Sequence, residues 1–447
     1  MKRNLFKTMN LMVIIFFAAL VSVGCNSNSE TGGKSEPSGE GTTDSSGEKV
    51  TLDWWDWGTL QGVEAMTTAL FEAFPEYEDQ LEISGVLQEN EQAMASQLRL
   101  LLSANENVPD IIKFNRTQVI EFAHAGILED LTSHVAPYLD NVVPGGHELM
   151  MYGEEVIAFP YEIKPKVWFY RTDMFEEANI DVNDIKNLDD FINAGKKLKQ
   201  HFPDSYMFNM GGEIATYTLQ MVLSGNGAKF VDDDGNYIVN KDPGVRKAFE
   251  AFKELTDSGV VVNIGDWTPD WEHGFADGTI ASTLLSGWFV NFLPTYAPDQ
   301  KGLWGATTWP EIGGAVGGSD AGGSVFVVPK NAPNKDLAIE ILTKLTLTEE
   351  GRVGLFKHRS ILPIIESVHN DPILQEPHPY FGTALMEANR KALENFSVFP
   401  FTPATSLEMP IVEEHLNAYR SGSVTLDEAL DRAQRDLETQ IGNPFDF

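Results

Sequence analysis

From Lys49 onward, apolar residues recur at two spacings, and each spacing specifies an element. In "VTLDWW" (50–55), Val50, Leu52 and Trp54 alternate with Thr51, Asp53 and Trp55, the two-residue period of a strand. Across 60–74 the apolar positions Val63, Met66, Leu70 and Phe74 fall three or four apart, and Pro75 closes the run. That pattern predicts an amphipathic helix. "LEISGVL" (81–87) predicts a second strand, 90–104 a second helix, and "VPDIIKF" (108–114) a third strand. Strands and helices taking turns with short connections favour a mainly parallel sheet covered by helices. In such sheets ligands bind beyond the C-terminal strand ends. Asp56 and Trp57 close the first strand, and Phe114 and Asn115 the third, so these four are the first candidates for ligand contact. The same period turns Trp54 into the core and leaves Trp57 at the ligand edge.

Before Lys49 the pattern changes. Lys2, Arg3 and Lys7 precede an apolar run of 13 residues from Leu11 to Val23. The run is too short to span a bilayer and suits the apolar part of a secretory signal. It ends at Gly24 and the chain's single cysteine, Cys25, which has no intrachain partner for a disulfide. The arrangement is similar to a bacterial lipobox, with Ser22 standing where Leu or Val is usual, and implies lipid attachment at Cys25. Residues 26–48 carry no large apolar side chain and cannot offset their own ordering entropy. They form a flexible tether with a reach of about 25–30 Å. The expected divisions are a signal peptide over 1–24 and a lipidated cysteine with its tether over 25–48. The roughly 400 residues that follow exceed what one core usually serves, which predicts two lobes.

Charge narrows the partners. The chain carries 66 acidic against 32 basic residues, a net −34, and loss of the three basic residues of the signal takes this to −37. Nucleic acid and anionic lipid both require a positive field. Neither is expected to bind, and membrane contact is expected through the lipid anchor alone.

Six segments then carry a resemblance. "PDIIKFNRTQVIEFAHAGILEDLT" has Pro109, Asp110, Gly126, Leu128 and Leu131 at the places of a signature. "AFPYEIKPKVWFYRTDMFEEANID" follows, and then "MFNMGGEIATYTLQMVLSGNGAKFVDDDGNY" and "FADGTIASTLLSGWFVNFL". "GGSVFVVPKNAPNKDLAIEILTKLTLTEEG" and "VTLDEALDRAQRDLETQI" complete the order. Together they resemble the family 1 extracellular solute-binding proteins, which include maltose-binding protein. The resemblance implies an α/β, two-lobed periplasmic-binding-protein-like type II fold, its discontinuous lobes joined by hinge segments. Lobe one would take 49–160 and 323–370, and lobe two 161–322 and 371–447, with the chain first crossing at Pro160 and crossing again near Gly322. It also implies a substrate-binding component of an ABC importer. Its partners would be a small carbohydrate and the membrane permease subunits, and it would act as a monomer, without cofactor or metal, at the outer face of the bacterial cell membrane.

Candidate chemistry points the same way. No His-x-x-x-His spacing occurs, Ala321 breaks the elbow around Ser319, and "GNGAKF" lacks the third glycine of a dinucleotide loop. "DDDGN" (232–236) has Tyr237 where a calcium loop requires glycine, and reads as a surface hairpin turn. Sugars present apolar C–H faces and hydroxyl edges, so their sites combine aromatic platforms with fixed polar groups. Of nine tryptophans, Trp57, Trp267, Trp271, Trp288 and Trp309 fall at predicted strand ends or loops, whereas Trp168 and Trp304 read as structural. By resemblance Trp288 carries a stacking ring, its other role being core filling in lobe two, and Glu213 matches a polar ligand contact. Trp309 and Glu162 join the candidates. Lys164 stands in the crossing segment where the resemblance implies an acid, which leaves a uronate-containing ligand open beside a neutral sugar. Two alternatives stay open: a secreted glycoside hydrolase using a carboxylate pair such as Glu162 and Glu213, and a binder of a non-sugar solute on the same fold.

Overall fold

β1 (Val50–Trp57) pairs in parallel with β2 (Leu81–Gln88) over its whole length and with β3 (Ile111–Asn115) at Trp54 and Trp55. A computed structural model describes residues 49–57, 60–143, 145–315, 323–383 and 385–446, without the side chains of 60, 61, 213 and 214. The signal segment, Cys25, the tether, Ser319 and Gly322 lie outside the described residues. The predicted alternation holds for Leu52 and Trp54, both fully buried, but Trp55 and Asp56 are buried as well. Successive side chains leave a strand on opposite faces, so both faces of the sheet are covered here. The helices that connect the strands are α1 (Leu60–Ala73) and α2 (Glu91–Ala104), the latter capped by Asn90, whose side chain accepts from the Ala93 N–H at 2.9 Å.

The Pro-Asp pair ahead of β3 has a structural explanation. Asp110 accepts from the Asp53 N–H at 3.0 Å, the Asn334 N–H at 2.7 Å and Asn334 Nδ2 at 3.1 Å. One carboxylate thus ties two neighbouring strands to a segment more than 200 residues away. After α3 (Arg116–His124) the chain reaches the short β4 (Phe159–Pro160) and passes into β5 (Lys166–Arg171).

A second core begins there. It contains buried residues from Val167 to Ala315 and from Tyr380 to Leu437, whereas the first contains Leu52 to Ile163 and Val325 to Leu374 with Met386. Each body is therefore assembled from separated stretches of chain. In the second, β5 lies between two antiparallel partners, β6 (Ser282–Ser286) and β7 (Trp304–Thr308), flanked by helices that include α4 (Gly212–Gly225) and α5 (Pro269–Ala276). Trp168 and Trp304 are buried as expected, with the Trp304 indole donating to Gln300 Oε1 at 2.8 Å. Trp271 is also fully buried, on α5 against Phe275, Phe289 and Tyr296, and so is not a loop residue. "DDDGN" forms the expected hairpin turn: Asp232 accepts from the N–H groups of Asp234 and Asn236, and Val231 bridges Tyr237.

The chain returns as β8 (Ser324–Val327), antiparallel to β3 on one side and β4 on the other, giving the order β2-β1-β3-β8-β4. The sheet is thus parallel where strands follow one another and antiparallel where the chain comes back. Helices α6 (Lys335–Leu347) and α7 (Glu349–Arg359) complete this body. On α7 the fully buried Arg352 donates to the carbonyls of Pro160 at 2.5 Å, Tyr161 at 2.6 Å and Thr346. Burial pulls its pKa down to about 9. A buried cation fastened by three backbone carbonyls demands fixed geometry, so Arg352 pins the first crossing segment to the helix.

Candidate ligand cleft

The third strand brings a charge into the sheet. Lys113 lies between the fully buried Ile112 and Phe114, and its amine pairs with the Asp56 carboxylate at the end of the neighbouring strand. Its Nζ also lies 4.7 Å from the centroid of the Trp57 ring and 5.3 Å from that of Tyr161. Two burdens of burial, an acid and an amine, offset each other there, and the half-buried Trp57 ring is held over the cation.

Next to this pair runs a hydrogen-bonded chain. Glu91, the first residue of α2, accepts from the Asn115 N–H and Asn115 Nδ2, both at 2.7 Å. Asn115 Oδ1 accepts from Ser324 Oγ at 2.9 Å and from Lys164 Nζ at 3.2 Å. Lys164 also donates to Ser324 Oγ at 2.7 Å and lies 3.3 Å from Glu162 Oε1. Its Nζ is 5.9 Å from the Trp57 ring centroid. Burial pushes the Glu91 carboxyl up to about 7, against the opposing pull of Lys164 and the Asn115 bonds. Ser286, closing β6, donates to the Lys164 carbonyl at 3.0 Å, which attaches the second body to the same segment.

The second body contributes aromatic rings. Trp288 follows β6 in the turn Gly287–Asn291, half-buried, with Phe292 edge-on at 5.7 Å and Trp267 stacked at 5.8 Å. Asn291 Nδ2 donates to the Arg359 carbonyl at the end of α7 at 3.2 Å. The Arg359 side chain interacts with Tyr161, Glu162 and Asp56. Arg359 is therefore where the aromatic wall of one body and the charged edge of the other approach each other.

Of the expected residues, Asp56, Trp57, Asn115, Glu162 and Lys164 come together in this way, and Trp288 is linked to them through Asn291, which donates to the carbonyls of both Trp288 and Arg359. Phe114 does not: it is fully buried and stacks on Phe122 at 5.3 Å, because both faces of β3 are covered along its whole length. Trp309 is 3 % exposed and packs into the second core rather than facing a ligand. Glu213 is the second residue of α4, and its side chain lies outside the description. Sequence reasoning missed Lys113, Glu91 and Arg359, and singled out Trp267 as a loop tryptophan without naming it a ligand contact. Lys113 left a signal, since a lysine inside "DIIKF" interrupts a buried strand and requires a partner. A separate recess of about 380 Å³ between the bodies, lined by Val167, Phe169, Val290, Phe356, Leu362 and Leu385 among others, contains none of these groups.

Comparisons with known proteins agree with this architecture. The chain is 23% identical over 366 residues to the arabinooligosaccharide-binding protein of Halalkalibacterium halodurans, covering 78% of this chain and 80% of that one. It is 26% identical over 360 residues to the arabinooligosaccharide-binding protein of Bacillus subtilis, covering 77% and 82%. Among solved structures, the ABC transporter associated binding protein from B. animalis subsp. lactis, in complex with β-1,6-galactobiose, superimposes with a TM-score of 0.72 at 21% identity, over 89% of this chain and 99% of that one. That likeness establishes a shared two-lobed fold. Residues 69–380 match the family described as bacterial extracellular solute-binding protein, and the chain belongs to that family.

Proposed function

We propose that the chain captures a neutral sugar of oligosaccharide size between its two bodies and delivers it to the permease of an ABC importer. The observation that carries this reading is the pairing of a fixed polar edge (Asp56, Trp57, Asn115, Glu162, Lys164) with an aromatic wall at Trp288. Hydroxyl groups suit the first and C–H faces the second. The relatives named above are arabinooligosaccharide-binding proteins, and the solved relative holds a galactobiose. Lys164 already meets Glu162, Asn115 and Ser324, so its charge is answered within the protein, which favours a neutral sugar over a uronate. The hydrolase alternative falls with membership of a family of binding proteins. Glu213, at the start of α4, remains a proposed contact.

Lipid on Cys25 would hold the protein at the outer face of the membrane, with 26–48 as tether, and the folded part acting as a monomer. Hinges near Pro160 and Gly322 would let the lobes close on the ligand. A thermal-shift screen with arabinose, arabinobiose, arabinotriose, lactose, galactobiose and maltose tests the reading. A sugar present at 100 times its Kd stabilises the fold by about 2.7 kcal/mol; no shift with any of them at millimolar concentration would overturn it. Cys25→Ser should release the protein from membranes, and retention would refute the anchor.

A further inference from the structure

The first crossing segment is fastened to one body by Arg352 and to the other by Ser286. A further tie between the bodies lies away from that crossing. It is made by residues 441–446, which follow helix α9 (Leu426–Gln440), whose Leu430, Ala433 and Leu437 sit in the second core. Here the backbone folds on itself: Asn443 Oδ1 accepts from the Phe445 N–H at 2.9 Å, and the Asn443 carbonyl from the Asp446 N–H at 3.1 Å. Pro444 is buried. Asn443 and Phe445 rest on the hairpin turn of the second body at Gly235, which has φ 82°. A methyl group on Gly235 would stand 3.1 Å from Asn443 Oδ1 and 3.4 Å from Phe445 Cδ2. The segment is thus shaped and seated by its own body.

Its other contact is with the first body. The Phe445 carbonyl accepts from Nε2 of His124, the last residue of α3, at 3.0 Å. The other ring nitrogen, Nδ1, lies 2.6 Å from the Tyr152 hydroxyl, on the short strand Met151–Tyr152 of the same body. A carbonyl can only accept, so Nε2 carries the hydrogen, and in the neutral ring Nδ1 accepts from Tyr152. One tautomer satisfies both bonds, and the first body aims the imidazole. Helix α8 (Thr405–Arg420) of the second body also packs against α3. α3 starts beside Asn115 in the polar edge, and its nine residues place His124 about 13 Å further along. The tie is therefore set apart from the groups of the polar edge. It is also slight, one hydrogen bond beside a ring that is 42 % exposed, so it can open without disturbing either core.

We propose that residues 443–446 are a strap that fastens the second body to α3 of the first when the cleft is shut, and so slows the escape of bound sugar. This rests on the reading of the chain as a sugar binder whose lobes close. His124 is the catch, and Tyr152 is a positioning residue that orients its ring. A contact made only in the shut state favours that state by its own free energy. The strap touches none of the groups of the polar edge, so it acts on release rather than on capture and is indifferent to which sugar is held.

Stopped-flow binding and release of arabinotriose and of β-1,6-galactobiose by the full chain, followed by tryptophan fluorescence, tests this. Deletion of 443–447 removes the strap, and His124→Phe keeps a flat ring but removes the donor. Each should speed release of either sugar by the same factor, about two- to tenfold, and leave the association rate unchanged. The two changes combined should release no faster than either alone, because they break one contact. Tyr152→Phe, which only frees the imidazole to turn, should have a smaller effect in the same direction. The melting temperature without sugar should stay at the wild-type value for His124→Phe. Unchanged release in both the deletion and His124→Phe overturns the strap while leaving the sugar site standing. So do additive effects of the two changes, or a lowered melting temperature with unchanged release, which would make the segment part of the second body's fold alone. If the wild-type chain binds neither sugar, the site reading fails and this inference fails with it.

Discussion

Asp56, Lys113, Glu91, Asn115 and Lys164 hold one another in the first body, whereas in the second body Trp267 is 43 % exposed and Trp288 only half-buried. The difference follows from what each kind of group tolerates. A buried charge without a partner is expensive, so polar groups in a cleft must be satisfied before a ligand arrives. An indole face has no such requirement and can wait in water at modest cost. The first body therefore positions, and the second offers area. In this arrangement the polar edge is inseparable from folding, while the aromatic wall is separable from it, and substitutions distinguish the two.

The largest effect should come from Lys113→Met, which strands the buried Asp56 carboxylate. Breaking such a pair costs about 3–5 kcal/mol, readable as a shifted urea midpoint. Lys113→Met combined with Asp56→Leu should recover most of the loss, since the unpaired charge is gone. A single variant as stable as wild type would show that the edge is not structural. Trp54→Ala is of similar size, about 3–5 kcal/mol of stability for a large core cavity, because the ring is fully buried and meets Phe326 edge-on at 5.0 Å. The folded fraction should bind sugar as well as wild type.

Trp288→Ala should do the reverse. Loss of one good aromatic contact weakens binding by about 1–3 kcal/mol, or about five- to 150-fold in Kd, while the melting temperature moves by only a few degrees. Unfolding without a change in affinity of the surviving protein would move Trp288 from the wall into the core.

A further effect concerns Glu91 and pH. Its carboxyl has an ordinary value of 4.5 and is pushed up to about 7 in the fold. Between these values the folded chain keeps a proton that the unfolded chain releases, so the contribution is fully present below about pH 4.5 and is lost as pH rises through 7. Glu91→Gln cannot titrate. The stability difference between wild type and this variant, followed by denaturant titration over that window, should therefore turn against wild type as pH rises. A difference independent of pH would mean that Glu91 is already ionised beside Lys164 and Asn115.

Much of this was legible beforehand. Strand period placed Trp54 inward and Trp57 at the strand end, and short strand–helix connections gave the parallel half of the first sheet. The ordered set of motifs indicated two lobes built from discontinuous chain, as the two cores are. Phe114 shows where such reasoning stops. Periodicity reports which side of an element a residue leaves, not whether that side is covered, and β3 is covered on both. Trp309 and Trp271 fail for the same reason, each standing next to a turn in sequence and beneath a helix or sheet in space.

What the amino-acid order determined by itself is local or summed: the polar composition of residues 26–48, the net charge of −34, the element types, and the family. What only the tertiary structure decided is which distant groups meet. Lys113 finds Asp56 across a strand pair, Lys164 finds Asn115 and Ser324 from three separate segments, and Trp267 stacks on Trp288. Local pattern is set by bonds between neighbours, whereas charge pairing and ring stacking act through space. Their partners are therefore fixed only once the whole chain has closed around them.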